Sequence, residues 1–371
     1  MKFLIVAPRF HTNLYYRVKA LQDAGHSVKI VVLYKGKSEF YEDIDFQKIR
    51  LSFFSRILMN TISFFKKNNL KTAFELRIQS PGKELKQILK FYKPDVILLK
   101  AYQNMLAVKT LLTAKICNTK VLMLTQTTYT HIKGSQLLFK FNIKLFKLLK
   151  VFAYITPIKS NFNSFINFGI ENVYYLPFVF PQKKIILNKQ KKNINILSVG
   201  KFQNRKEQLL LLKVFRQLSD ENYKIKLCLI GELADKKYFD IISNFIQSNL
   251  LSNNVCIKTN ISYSEIMNEY QKYDIFILPA YNEPAAYSPV EALANGLPVI
   301  CSDENGTKCY IEEGKNGYVF KAKKFNDLYE KIKLCISDKE KLKEMKKNAL
   351  FSAKENHNPE LFVKRILEIV K

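Results

Sequence analysis

The chain has 371 residues, 60 Lys plus Arg against 32 Asp plus Glu, and 47% hydrophobic residues. That length exceeds what one hydrophobic core usually serves, so two domains are expected, and the composition excludes a disordered or collagen-like chain. The formal net charge of +28 predicts attraction to phosphate-bearing partners without saying which, since nucleic acid, anionic lipid and a nucleotide-sugar would all answer it; a coding bias toward Lys, Asn, Ile and Phe is an equal alternative origin for most surface lysines.

The first element is a strand, Phe3 to Ala7, within an apolar run too short for a signal peptide. It feeds the turn Pro8-Arg9-Phe10-His11-Thr12-Asn13. A second strand, Val28 to Leu33, precedes Asp43-Ile44-Asp45, an Asp-x-Asp far from the informative motif below. Next comes a basic, aromatic segment from Phe53 to Lys67. Strands at Val96 to Leu99 and Val121 to Leu124 lead to Thr125-Gln126-Thr127. Residues 136–150 set lysines at 140, 144 and 147 against an apolar remainder, which fits a core helix with a solvated face and equally a helix lying in an anionic membrane interface. Strands Ala153 to Thr156 and Val173 to Leu176 complete the first half.

Pro177 to Pro181 and the basic run Lys183 to Lys192 have little periodicity and read as a linker. The second half repeats the alternation, with strands Ile194 to Val199, Ile225 to Ile230, Val255 to Ile257, Ile275 to Leu278 and Pro298 to Cys301. Asn358-Pro359-Glu360 sets an N-cap before a proline, opening a helix that runs to residue 371. Short β-branched strands alternating with helical patterns indicate parallel sheets covered by helices. The expected fold class is α/β with two doubly wound, Rossmann-like domains: residues 1–180, a linker over 181–193, residues 194–357, and a C-terminal helix over 358–371 that packs back toward the N-terminal domain.

Cys117, Cys228, Cys256, Cys301, Cys309 and Cys335 form no CxxC pair and read as reduced core residues of a cytosolic protein. No apolar run reaches the ~18 residues that span a bilayer, so any membrane contact is peripheral, at the inner face. His11, His26, His131 and His357 lack metal-ligand spacing, and Asp43 with Asp45 is a poor metal site, so no metal is assigned. There is no GxGxxG, P-loop or nucleophile elbow.

The informative stretch follows Ile275 to Leu278 directly, at the carboxyl end of a parallel strand, where open α/β sheets bind ligands. It reads Pro279-Ala-Tyr-Asn-Glu283-Pro-Ala285-Ala286-Tyr287-Ser288-Pro289-Val290-Glu291, then Ala-Leu-Ala-Asn-Gly-Leu-Pro-Val-Ile300. Ser288 has the character of an N-cap, Pro289 suits the first helical position, and Glu291 sits where a capping box would have it. A helix start offers free N–H groups to a diphosphate, and Ala285 and Ala286 let a ligand come close. Glu283 and Glu291, acceptor-only when ionised, suit sugar or ribose hydroxyls.

Glu283, seven intervening residues and Glu291 resemble the Glu-x7-Glu signature of the retaining group 1 glycosyltransferases, also called family 4, of GT-B fold. Leu197-Ser-Val-Gly200-Lys201-Phe-Gln-Asn-Arg205-Lys206 resembles their strand, Gly-Arg turn and phosphate-binding lysine, and Asn305-Gly306 with Glu312 to Phe320 resembles a later loop and short strand. The resemblance covers about residues 194 to 335. It implies domains facing across a cleft and a nucleoside diphosphate sugar, UDP- or GDP-linked, as donor. It implies that Glu291 holds the ribose, that Glu283 faces the donor sugar, and that Lys206 and Lys201 neutralise the diphosphate as catalytic groups, with Arg205 assisting. The stretch Ala285 to Val290, including Tyr287, Ser288 and Pro289, lines the donor, and backbone near Thr259 to Ile261 contacts the base. Neither cofactor nor metal is then needed.

Several positions depart from the pattern. Ala286 replaces the family's glycine, Lys201 its arginine, Glu232 a second glycine after Gly231, and Cys309 a frequent glutamate. In the first half, Arg9, His11 and Asn13 replace a glycine-rich turn and are candidates for acceptor or phosphate contact, although His11 also suits a helix cap. Gln126 stands where relatives often have histidine; it can hydrogen-bond a sugar hydroxyl but cannot act as a base.

The resemblance implies transfer of a glycosyl group, with retention, to a glycan or lipid-linked acceptor hydroxyl of the cell envelope, the leaving phosphate taking the acceptor proton. A chain that binds the donor without turnover is one alternative. A basic nucleic-acid-binding protein is another, supported by charge alone, and no nucleic-acid partner is assigned.

Overall fold

In the computed structural model of the protein, the described residues are 1–35, 40, 42–64, 77–100, 104–126, 143–181 and 193–371, side chains at 61–64 excepted. Gly36 to Glu39, Tyr41, most of the expected linker, Thr127, His131, Phe65 to Lys67 and residues 136–142 of the basic helix lie outside them. The chain forms two compact units, Met1–Leu176 with Pro359–Lys371, and Pro177–Asn358.

The first unit is built from β1 (Lys2–Arg9), α1 (Thr12–Asp23), β2 (Ser27–Tyr34), β3 (Gln47–Lys48), α2 (Phe53–Phe64), α3 (Glu84–Tyr92), β4 (Val96–Leu99), α4 (Met105–Ile116), β5 (Lys120–Leu124), β6 (Ala153–Thr156), α5 (Lys159–Asn167) and β7 (Val173–Tyr175). The second unit has β8 (Ile194–Val199), α6 (Gln208–Asp220), β9 (Ile225–Gly231), α7 (Lys236–Ser248), β10 (Val255–Thr259), α8 (Tyr263–Tyr270), β11 (Ile275–Leu278), α9 (Ser288–Ala294), β12 (Val299–Ser302), β13 (Gly317–Phe320), α10 (Phe325–Ile336) and α11 (Lys339–Asn356). The last helix, α12 (Pro359–Val370), belongs to the first unit.

Both sheets are parallel throughout, in the orders β3-β2-β1-β4-β5-β6-β7 and β10-β9-β8-β11-β12-β13. The two doubly wound α/β sheets expected from the alternating pattern are present. In each, the strand order reverses beside the first strand, between β1 and β4 and between β8 and β11, and the carboxyl ends of strands at such a reversal are where this architecture opens a crevice. Strands buried on both faces explain their unbroken apolar runs: Val96 to Leu99 and Ile275 to Leu278 are fully buried.

Residues 177–180 pack within the second unit. The Phe178 N–H donates to the Tyr310 hydroxyl at 3.3 Å, the Phe180 N–H to the His357 carbonyl at 2.9 Å, and the Tyr287 hydroxyl to the Val179 carbonyl. Within the first unit, α12 lies on α1, burying Phe362 and Ile366, with the Arg17 guanidinium 5.7 Å from the Phe362 ring centre.

The cysteine reading needs one correction. All six thiols are free, yet Cys256 is exposed and Cys117 and Cys309 are half-buried. Cys256 lies on β10, an edge strand buried on its inner side only. Of the basic helix, 143–148 is helical, with Phe146 in the core and Lys144 and Lys147 facing solvent.

Candidate functional site

The second unit gathers its charged side chains at the carboxyl ends of β8 and β11. β8 runs into Gly200, Lys201 and Phe202, and a 3-10 turn over Asn204–Lys206 turns Lys206 back over Gly200. The Lys206 stem passes directly over Gly200, where a Cβ would meet Lys206 Cδ at 3.5 Å, an ordinary packing distance. Gly231 is tighter still: a Cβ there would stand 2.1 Å from the Gly200 carbonyl oxygen, so no side chain fits between these strand ends. Glu207 closes the turn at φ 53° and leads into α6.

The loop after β11 is fastened on two sides. The Tyr281 N–H donates to the Arg205 carbonyl at 3.0 Å, the Glu283 N–H to the Glu304 carbonyl at 3.1 Å, and the Gly306 N–H to the Glu283 carbonyl at 2.8 Å. The Glu283 side chain is thereby turned inward, where Lys206 Nζ donates to its Oε2 at 2.6 Å and the Arg205 guanidinium to the same oxygen. Lys206 is 9% and Glu283 7% exposed. Burial pushes the Glu283 carboxyl up, but Lys206 and Arg205 outweigh it and hold the group below the usual carboxylate range. Burial pulls the Lys206 ammonium below its ordinary value, Glu283 pushing back and Arg205 and Lys201 adding to the fall. Two cations thus share one carboxylate, a surplus of one positive charge that a further anion would answer. Lys201 instead pairs with Glu232 at 2.6 Å, both partners partly exposed.

The expected capping role of Ser288 and Glu291 is not what the structure shows. Ser288 is itself the first residue of α9, preceded by Tyr287, and its hydroxyl donates to the Val199 carbonyl at 3.3 Å. Glu291, 4% exposed, accepts from the Tyr270 hydroxyl at 2.7 Å and the Tyr263 hydroxyl at 2.8 Å. Burial still pushes the Glu291 carboxyl up to about 7, the two tyrosine hydroxyls offsetting part of the rise. Neither tyrosine is singled out by the sequence.

Ala285, Ala286, Tyr287, Pro289 and Val290 lie between the two acids, with Pro289 and Val290 buried in α9. The Tyr287 ring packs on Phe178 and Phe180, centroids 5.2 and 6.3 Å away. Ile261 follows β10, where the Asn260 side chain accepts from the Leu233 N–H at 3.1 Å.

In the first unit, Arg9, His11, Asn13 and Gln126 are also brought together. Arg9 Nε donates to His11 Nε2 at 3.3 Å, and Asn13 Nδ2 to Gln126 Oε1 at 3.1 Å. His11 precedes α1, but its side chain makes no capping hydrogen bond. Lys100, missed in the sequence because a lone lysine after a strand reads as a solvated end, donates to Asn13 Oδ1. Asp43 and Asp45 are exposed.

Residues 179–350 match the family "Glycosyl transferases group 1". The chain is 24% identical over 192 residues to the poly(glycerol-phosphate) alpha-glucosyltransferase of Bacillus subtilis (strain 168), covering 51% of this chain and 28% of that protein. It is 27% identical over 146 residues to the capsular polysaccharide biosynthesis glycosyltransferase CapM of Staphylococcus aureus, covering 39% and 37%. The chain spans about half or less of the length of the curated relatives it matches. The structure of Anabaena Alr3699/HepE, solved in complex with UDP, superposes with a TM-score of 0.72 at 15% identity over 99% of each chain. The fold is accordingly GT-B. Residues 179–350, which span nearly all of the second unit, are thus similar to the group 1 glycosyl transferases.

Proposed function

We propose that the protein is a retaining glycosyltransferase that moves a sugar from a nucleoside diphosphate sugar to an acceptor hydroxyl during synthesis of a cell-envelope polysaccharide or glycolipid. One observation carries this reading: Lys206 and Arg205 meet on the buried carboxylate of Glu283, eight positions before Glu291, at the strand ends where the sheet order reverses. The family match over residues 179–350, a UDP complex of a protein with the same fold and a relative's part in capsular polysaccharide synthesis support it.

In this reading Arg205 and Lys206 face the diphosphate, Glu291 accepts the two ribose hydroxyls, and Glu283 lies beside the transferred sugar. As the bond from the anomeric carbon to the β-phosphate oxygen breaks, that oxygen takes the electron pair, and the fixed cations stabilise the growing charge without reorganising. The acceptor oxygen attacks the face the phosphate leaves, and the acceptor proton passes to the departing phosphate. Side-chain cations thus do the work a metal does elsewhere, and turnover should survive EDTA.

The aromatic start of α2, with Phe53 64% and Phe54 82% exposed, supports peripheral contact with an anionic membrane. Incubation with a panel of UDP- and GDP-sugars tests the main reading. Saturable donor binding with slow release of nucleoside diphosphate is expected, and absence of binding to every member of the panel would refute it.

A further inference from the structure

A single short helix grips both oxygens of Glu291. Tyr263 and Tyr270 are the first and last residues of α8, close to two full turns apart, so both rings leave the same face of the helix. The Tyr263 hydroxyl donates to Glu291 Oε1 at 2.8 Å and the Tyr270 hydroxyl to Oε2 at 2.7 Å, one phenol on each oxygen. We propose that Tyr270, seconded by Tyr263, is a positioning residue that aims the Glu291 carboxylate at the nucleotide's ribose and so makes the site select ribonucleotides over deoxyribonucleotides. That a ribose lies against Glu291 rests on the donor reading above, whereas the grip of the two phenols on the carboxylate does not.

Three observations support it. First, the acceptor count fits a diol. An ionised carboxylate offers about four lone-pair sites; the phenols take one on each oxygen and leave one on each, which is what two neighbouring hydroxyls need. Glu283 is held by two cations, but the partners of Glu291 are neutral, so its charge stays available to hydroxyl donors. Second, the grip is rigid. The last torsion of a glutamate side chain is broad, so outside partners must fix the plane of the carboxylate. Tyr270 is fully buried, its ring centre 6.0 Å from that of Phe276 on β11. The start of α8 is fastened by a capping box, the Glu265 N–H donating to Ser262 Oγ at 3.2 Å and the Ser262 N–H to Glu265 Oε2 at 2.7 Å. Third, the phenols favour the ionised form of Glu291 against burial, and burial and Glu291 together hold the Tyr270 hydroxyl well above its ordinary value, so it keeps its proton and remains a donor. A deoxyribose would leave one of the aimed acceptor sites unfilled in a closed environment.

The test titrates UDP, 2′-deoxy-UDP and 3′-deoxy-UDP by calorimetry into the full chain and into Tyr270→Phe and Tyr263→Phe, each of which loses one hydroxyl and keeps its ring. The parent should prefer UDP to either deoxy analogue by about tenfold or more, the loss expected for one hydrogen bond to a charged group. Tyr270→Phe should cut that preference by about threefold or more, weakening UDP while leaving the deoxy analogues nearly as they were. Tyr263→Phe, at a half-buried position, should act in the same direction and carries the test if Tyr270→Phe does not fold. A purely structural tyrosine would weaken all three nucleotides together and leave the ratio unchanged. A ribose preference present in the parent and undiminished in the folded variants would therefore overturn the positioning role alone. A parent that binds UDP without preferring it to the deoxy analogues would remove Glu291 from the ribose, and the positioning role with it, while the diphosphate assignment stands; a parent that binds no UDP would overturn both.

Discussion

Lys206 and Glu283, 77 positions apart in the chain, meet at 2.6 Å in the second unit, and Arg205 joins them on the same carboxylate oxygen. Glu283 is therefore the counterion that keeps a buried lysine and a half-buried arginine tolerable side by side before any ligand arrives. Glu283→Gln leaves both without it, and breaking a buried pair such as Lys206 with Glu283 costs on the order of 3–5 kcal/mol. The variant should melt lower than the parent and recover more on addition of UDP than the parent gains. An unchanged melting temperature would show that Glu283 is not this counterion.

Arg205 and Lys201 are not equivalent. Arg205 reaches Glu283, whereas Lys201 is engaged by Glu232 at a partly exposed position. Arg205→Gln should weaken UDP-glucose binding about tenfold or more, and Lys201→Gln by no more than a few-fold, because a solvated ion pair contributes under about 1 kcal/mol. The reverse order would return the second phosphate cation to Lys201.

If Glu291 holds the ribose as proposed, donor binding depends on pH. Its carboxyl titrates near 7 in the folded chain against 4.5 ordinarily, burial being the cause. The stability its protonated form contributes is complete below 4.5 and is lost as pH rises through about 7. Binding in the proposed arrangement runs the other way, since only an ionised carboxylate could accept from both ribose hydroxyls. UDP-glucose affinity should rise up to about tenfold per pH unit below 7 and level off above it. Glu291→Gln should bind weakly with a flat profile; a parent profile flat from pH 6 to 8 would contradict the assignment.

His357 makes a separate prediction about stability. It is 1% exposed; Nδ1 donates to the Phe178 carbonyl at 2.7 Å, and Nε2 is buried without a hydrogen-bond partner. Burial lowers its pKa from 6.5 to about 4, the Phe178 bond offsetting part of the fall. The unfolded chain then binds the extra proton between those values, so stability is whole above 6.5 and is lost as pH falls toward 4, by up to about 3 kcal/mol. Urea titrations at pH 7.5 and 5 should show the parent losing more stability than His357→Gln. Equal losses would mean that His357 accepts a proton in the folded state.

Most strands were legible in the sequence, because their signal is local. Val96 to Leu99, Ala153 to Thr156, Ile194 to Val199 and Ile275 to Leu278 were legible as unbroken apolar runs, and those bounds are the observed ones. β3, two polar residues at Gln47–Lys48, carries no such pattern and was missed. Glu291 was legible, but its partners were not: Tyr263 and Tyr270 stand 28 and 21 positions away on another helix. The local Ser-x-x-Glu spacing pointed to a cap instead, and tertiary packing overrode it. Lys100 was invisible for the same reason, since only the pairing of β1 with β4 brings it near Asn13.

The central claim is that Lys206 is the main cation for the donor's diphosphate, and equilibrium titration of UDP-glucose into the parent and Lys206→Met tests it most directly. Circular dichroism would first establish that both are folded. The parent should bind saturably and the variant at least about 100-fold more weakly, a loss of roughly 2.7 kcal/mol. Equal affinities in two folded proteins would contradict the account.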